Sequence, residues 1–246
     1  MIVLFTDFGP GGLYTGQMKA RLAEEAPAVP VIDFVDDAPR QNPRAAAYLL
    51  AAYAAAFPAG SVFVAVVDPG VGSDRPAAIL EADGRWYVGP ANGLFELLRR
   101  RAGDKCSIYE ITWRPDELSN SFHGRDLFTP VAAMLAEGKS LPGEPRDADW
   151  CLESGWPDDL WEVIYIDGFG NAIIGVRANV VDPEIDLRVK SLYLQHARTF
   201  SDVPQGALFW YENANGLVEI AANQGSAADM LNLKIGTPVS VDGATA

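Results

Sequence analysis

Hydrophobic positions follow two different rhythms along this chain. In the first half, short β-rich runs at 2–6, 31–35 and 62–67 alternate with longer stretches at 14–25, 44–56 and 92–101 that carry helical patterns. The runs read as buried strands and the longer stretches as helices. Shorter runs at 78–80, 86–88 and 108–111 add strands, and a further helix runs from about 126 to 137. Strands separated by helices imply right-handed crossovers, hence a mainly parallel sheet with helices on both faces.

Past residue 160 the rhythm is almost all strand: 161–166, 172–176, 187–193, 207–211, 217–221 and 239–241, with one short helix at 226–233. Closely spaced strands joined by turns predict a small barrel or sandwich. Between the halves, 138–159 is rich in Pro, Gly and acids without a sustained period and reads as a linker. The expected fold class is therefore α/β: an N-terminal α/β domain over 1–150 and a smaller, β-barrel-like domain over 160–246.

Composition narrows the partners. A net charge of −14 and a pI near 4.5 argue against nucleic acid, whose phosphates need a Lys/Arg surface, and against an anionic membrane face. The most apolar stretch, 45–57, falls short of the ~20 residues that span a bilayer. The first strand meets Asp7 before any signal-length apolar region forms. Cys106 and Cys151 show no paired spacing, so neither a disulfide framework nor a thiolate metal cluster is indicated, and a cytoplasmic location is expected.

Four segments place chemistry at the ends of elements. Asp68 ends a β-branched strand just before Pro69-Gly70, with Arg75 seven residues on, where ligands sit in an open α/β sheet; a plain turn is the competing reading. Thr6-Asp7-Phe8-Gly9 ends the first strand ahead of a Gly-rich turn that could cradle a nucleotide. His123 lies at a loop-to-helix junction beside Gly124, with Arg125-Asp126 beyond, and Asp126 reads as a helix cap. Asp167-Gly168-Phe169-Gly170-Asn171 is a hairpin by default, yet it offers an ammonium acceptor, a stacking face and an amide for an adenine edge. With only His123 and His196, no multi-histidine metal site is expected.

Together, TDFG at 6–9, Met18-Lys19, VVDPGVGS at 66–73, NGL at 92–94, FHGRD at 122–126, DGFGN at 167–171 and GSAA at 225–228 resemble the S-adenosyl-L-methionine (SAM) hydrolases, which share a superfamily with SAM-dependent halogenases. The resemblance covers nearly the whole chain in order. It implies SAM as substrate, no cofactor or metal, and a homotrimer with sites between one subunit's N-terminal domain and a neighbour's C-terminal domain. It also implies catalysis by Asp68, Arg75 and His123. Halogenases lack that set and carry Tyr at the Asp68 position.

By the same matching, Asp7 would hold the ribose hydroxyls beside Tyr14, Asp167 the methionine ammonium and Asn171 the adenine edge, with Phe169 and Phe200 as aromatic walls. The chain departs from the family at Gly12, at Ala214, which leaves Asn215 to help hold the methionine carboxylate, and over 40–43. The chemistry implied is in-line attack of water at the ribose C5′ carbon. Asp68 would accept the proton, Arg75 would orient Asp68 and lower its pKa, and His123 would position the water. The rival readings are a halogenase, a non-catalytic SAM or adenosine sensor, and a metal-dependent phosphohydrolase built on Asp7 and Asp68.

Overall fold

The computed structural model describes residues 1–147, 149–150, 153 and 155–241; Cys151 and the end of the expected C-terminal domain, 242–246, lie outside the described residues. Two compact units emerge, Met1–Ser154 and Gly155–Ala246.

The first unit is built on a seven-stranded sheet ordered β2-β1-β3-β5-β4-β6-β7. The fully buried strands β1 (Ile2–Thr6) and β3 (Val62–Val66) lie parallel at its centre, flanked by β2 (Val31–Val35) and β5 (Arg85–Pro90), also parallel. Beyond β5 the sheet turns antiparallel through β4 (Ala77–Ala82), β6 (Cys106–Ile111) and β7 (Gly143–Arg146). Strand β7 falls inside the segment expected to be a linker. Gly-Glu-Pro-Arg carries no alternation, so the strand is set by backbone pairing to β6 rather than by its own side chains.

Side chains alternate across the sheet. On one face Ile2, Leu4, Val62, Val64 and Val66 pack with Met18 and Leu22 of α1 (Thr15–Glu25) and with Val131, Ala132 and Ala133 of α4 (Thr129–Ala136). On the other, Phe63 stacks on Tyr87 at 4.9 Å and meets Phe57, just past α2 (Pro43–Tyr53), while Tyr87 meets Phe95 at the start of α3 (Glu96–Ala102). Helix α3 starts later than its apolar rhythm predicts because Asn92 closes the preceding turn, donating to the Val67 carbonyl. A π-helical turn, Gly124–Phe128, precedes α4 where a continuous helix was expected.

The second unit packs two antiparallel sheets around one core. One is ordered β12-β13-β9-β8, from β8 (Leu160–Ile166), β9 (Ala172–Arg177), β12 (Leu208–Glu212) and β13 (Leu217–Ala222). The other is β11-β10-β14, from β10 (Leu187–Val189), β11 (Leu192–Leu194) and β14 (Val239–Val241). Val163, Ile174 and Val218 from the first meet Leu187, Leu194 and Val239 from the second. Bridges Glu162–Pro238 and His196–Trp210 join the sheets along both sides, giving a barrel-like unit. The single strand expected over 187–193 is a hairpin, because Lys190 turns the chain with φ 55°. Helix α5 (Ala227–Leu231) ends against Lys190 Nζ, which donates to the carbonyls of Leu231 and Asn232. No helix among the described residues is long and apolar enough to cross a membrane.

Candidate active site

Parallel strands β1 and β3 end in register, Thr6 beside Val66, so the residues that follow emerge at the same edge of the sheet. That edge carries a cavity of about 380 Å³, lined by Asp7, Phe8, Tyr14, Arg40, Asp68 and His123 among others. Its position is the one expected of a ligand site at the carboxyl ends of parallel strands, and its size falls in the range for small molecules.

Asp68 and Arg75 belong to one loop between β3 and β4. Ser73 Oγ donates to the Gly70 carbonyl at 2.7 Å and accepts from the Arg75 amide, folding the loop back on itself. Gly72 has φ 81°, and a Cβ there would come within 2.5 Å of the Asn120 carbonyl, so the loop can lie against the His123 loop only with glycine at this position. The second loop is closed by Asp126, which accepts from the Ser119 amide and pairs with Arg125.

Through these contacts Arg75 reaches both partners. Its Nη2 donates to Asp68 Oδ2 at 2.6 Å and lies 3.3 Å from His123 Nδ1, while Nη1 donates to the Pro76 carbonyl and the guanidinium rests over the Phe128 ring. A guanidinium can only donate. Nδ1 of His123 is therefore the lone-pair nitrogen, and the proton of the neutral ring is on Nε2. Burial and the charge of Arg75 both hold His123 below the usual imidazole pKa.

The pair is nearly sealed from solvent, with side chains 9% exposed for Arg75 and 4% for Asp68. Burial raises the Asp68 carboxyl above the ordinary carboxylate value by more than Arg75 lowers it. This corrects the expectation that Arg75 would set a depressed pKa: the charge pair is present, but the missing water outweighs it. Asp68 Oδ1 is buried and makes no full hydrogen bond among the described residues, although the Gly70 amide is close enough to lower the pKa. One acceptor of the carboxylate is thus left open.

Asp7 is also raised by burial, opposed by the Gln41 amide and by the charge of Arg40. Its Oδ2 accepts from the Gln41 amide at 2.8 Å and holds that residue in the left-handed region, φ 53°. Tyr14 packs with Phe8 and Phe122 in an aromatic trio at 5.3 to 5.9 Å between ring centres. The structure therefore brings Asp7, Tyr14, Asp68, Arg75 and His123 together. Arg40 was read in the sequence only as part of a departing loop; its guanidinium makes no hydrogen bond among the described residues.

The remaining predicted residues lie in the second unit. Asp167 and Asn171 close one hairpin: Oδ1 of Asp167 accepts from the amides of Phe169 and Asn171, and Oδ2 accepts from Asn171 Nδ2 at 3.1 Å. Phe169 stands at the hairpin tip, 82% exposed. Phe200 packs edge-on against Phe209 and Tyr211, and the Asn215 amide donates to Asn213 Oδ1 in the turn after β12. What links the hairpin to the aromatic group is Glu219, which the sequence reading missed. It accepts from Tyr211 Oη at 2.5 Å and from Asn213 Nδ2 at 3.0 Å, and the Asn171 amide lies beside it. The available signal was an acid inside the otherwise apolar strand LVEIAA. Among the described residues, no three His, Cys, Asp or Glu side chains converge as a metal-ligand set.

Comparison with known proteins bears on both units. The family model described as SAM hydroxide adenosyltransferase N-terminal domain matches residues 2–143, and the corresponding C-terminal domain model matches 161–240. The chain belongs to the SAM hydroxide adenosyltransferase family. A relative from Thermus thermophilus, named (R)-S-adenosyl-L-methionine hydrolase, is 39% identical over 97% of this chain and 98% of its own. One of the same name from Salinispora arenicola is 36% identical over 96% and 95%. In structure, an uncharacterized conserved protein from Thermotoga maritima superposes with a TM-score of 0.87 at 29% identity, covering 98% of this chain and 99% of the other. Within the family, Asp68, Arg75 and His123 of this chain form one bonded group rather than three separate loop residues.

Proposed function

We propose that this protein hydrolyses S-adenosyl-L-methionine to adenosine and L-methionine, with Asp68, Arg75 and His123 as the catalytic residues. The observation that carries the reading is the Arg75 guanidinium bonded to Asp68 and facing His123 at the edge of the cleft, with Asp68 Oδ1 buried and short of a full hydrogen bond among the described residues. Family membership and relatives named as SAM hydrolases support it.

The step follows from these groups. A water bound between Asp68 Oδ1 and the Nε2–H of His123 attacks C5′ of the ribose. A C5′–O bond forms as the C5′–S bond breaks, and sulfur keeps the electron pair and leaves as the neutral thioether of methionine. The attacking oxygen becomes strongly acidic as it bonds to carbon, so Asp68 can take its proton without hydroxide being formed first. In its ionised form Asp68 is a better acceptor for having a raised pKa. His123, neutral and donating, fixes the water's orientation and leaves one lone pair free to attack. Alignment of water, C5′ and sulfur supplies much of the acceleration.

The finer parts of the reading belong to the same proposal. Asp7 and Tyr14 contact the ribose, Asp167, Phe169, Asn171, Phe200 and Asn215 contact adenine and methionine, and the protein acts without metal, in the cytoplasm, as a homotrimer. Incubation with SAM and chromatography is the test. Adenosine and methionine in equal amounts support the reading; intact SAM, or 5′-methylthioadenosine from cleavage on the other side of sulfur, would overturn it.

A further inference from the structure

Glu219 is a buried carboxylate that the proposed chemistry does not use. It is 4% exposed, in the middle of a strand whose other residues are all apolar and buried. Burying an acid there is unfavourable unless its oxygens are supplied with donors. The structure supplies them: Tyr211 Oη to Oε1, Asn213 Nδ2 to Oε2, and the Asn171 amide alongside.

The third donor has a consequence for recognition. An ionised carboxylate accepts and never donates, so it attracts the NH₂ end of a neighbouring amide and repels the carbonyl end. Asn171 Nδ2 has two hydrogens. One goes to Asp167 Oδ2 at 3.1 Å, and Glu219 sits diagonal to Asn171 on the same face of the β9–β13 pair, near enough for the amide to lower its pKa. Asn171 Oδ1 accepts no hydrogen bond from the described residues. Asp167 thus fixes the orientation of the amide, the carboxylate of Glu219 on the same face favours the same orientation, and the oxygen is the end left for a ligand.

We propose that Glu219 is a positioning residue: together with Asp167 it takes up both amide hydrogens of Asn171, so that this residue offers a ligand only an acceptor and the unit selects a base bearing an amino group over one bearing a carbonyl. The proposal rests on the reading that Asn171 meets the adenine edge, and it narrows that reading. An amide free to rotate would pair with either kind of base edge; an amide pinned by Glu219 pairs with the 6-amino group of adenine and repels the 6-oxo group of hypoxanthine. Tyr211, bonded to the same carboxylate, packs 5.4 Å from Phe200, and the two rings offer faces for a base.

Calorimetric titration of the full-length protein with adenosine, purine riboside and inosine tests this without relying on turnover. The expected order of affinity is adenosine, then purine riboside, then inosine, with adenosine about 100-fold tighter than inosine. In Glu219→Gln, the new amide can present its own NH₂ to Asn171 Oδ1 and let the Asn171 amide turn over. The adenosine-to-inosine ratio then falls by about tenfold, whereas a merely structural role weakens both nucleosides equally and leaves the ratio unchanged. Equal affinities in the wild-type protein, or an unchanged ratio in a folded variant, would overturn the proposal. If Glu219→Gln does not fold, the three-ligand order in the wild-type protein decides alone. Adenosine released from SAM alongside equal nucleoside affinities would sink the role of Glu219 and leave hydrolysis standing. The expected order without SAM turnover would do the reverse.

Discussion

Asp68 and Glu219 are both buried carboxylates raised by desolvation, and they differ in what their second oxygen does. Both oxygens of Glu219 accept full hydrogen bonds, from Tyr211 and Asn213. Asp68 has one oxygen on Arg75 and one without a full bond. A buried acceptor left open costs about 1–3 kcal/mol, so such an arrangement persists where a ligand or reacting water fills it. The closed carboxylate holds neighbours in place; the open one is available for proton transfer. Position in the sequence says nothing of this distinction, since each acid simply lies in or at the end of an apolar strand.

Asp68→Asn breaks the comparison most directly. Without a proton acceptor, release of adenosine is expected to slow by about 10²- to 10⁴-fold with KM little changed. Glu219→Gln should instead act mainly through KM. Equal kcat losses from both would erase the distinction between an open and a closed acid.

Arg75→Lys keeps the charge but loses the fork that reaches Asp68, Pro76 and His123 together. A kcat loss of roughly 10- to 100-fold is expected, because Asp68 stays ionised but is no longer held. Next come the two glycines on which the regions rest. Gly72→Ala meets the Asn120 carbonyl, and Gly170→Ala, at φ 82°, meets Ser226 Oγ at 2.1 Å. Each should destabilise the protein by roughly 1–3 kcal/mol, seen as a lowered Tm. Gly72→Ala should also lower kcat, and Gly170→Ala should raise KM.

The smallest effect is the pH dependence. Asp68 must be ionised to accept a proton and its pKa is raised, so kcat falls on acidification at a pH above the ordinary carboxylate value of ~3.9. His123 is held below its ordinary value of ~6.5, so it stays neutral at neutral pH and adds no acid limb there. The acid limb is expected to persist in His123→Gln, because it belongs to Asp68; a midpoint near ~6.5 that disappears in His123→Gln would assign the limb to the imidazole instead.

Much of this architecture was legible in the sequence because periodicity reports burial directly. Strands β1 and β3 and helices α1 and α2 were each read within a few residues. Strand β7 was not, because Gly143–Arg146 pairs through its backbone and carries no alternating side chains. The turn at Lys190 was missed because a left-handed lysine leaves no glycine to mark it. Asp68, Arg75 and His123 were found as residues through family resemblance, yet their electrostatics were not. The raised pKa of Asp68 follows from burial by loops whose packing no local pattern encodes. The tautomer of His123 follows from a guanidinium 48 residues away in sequence.

The central claim is that a solvent oxygen replaces sulfur at the ribose C5′ carbon. Turnover of SAM in water enriched in ¹⁸O, followed by mass spectrometry of the nucleoside, tests it most directly. Adenosine carrying one ¹⁸O at its 5′-hydroxyl, formed in step with methionine, is the predicted result; unlabelled adenosine, or a product still bearing sulfur at C5′, would contradict it.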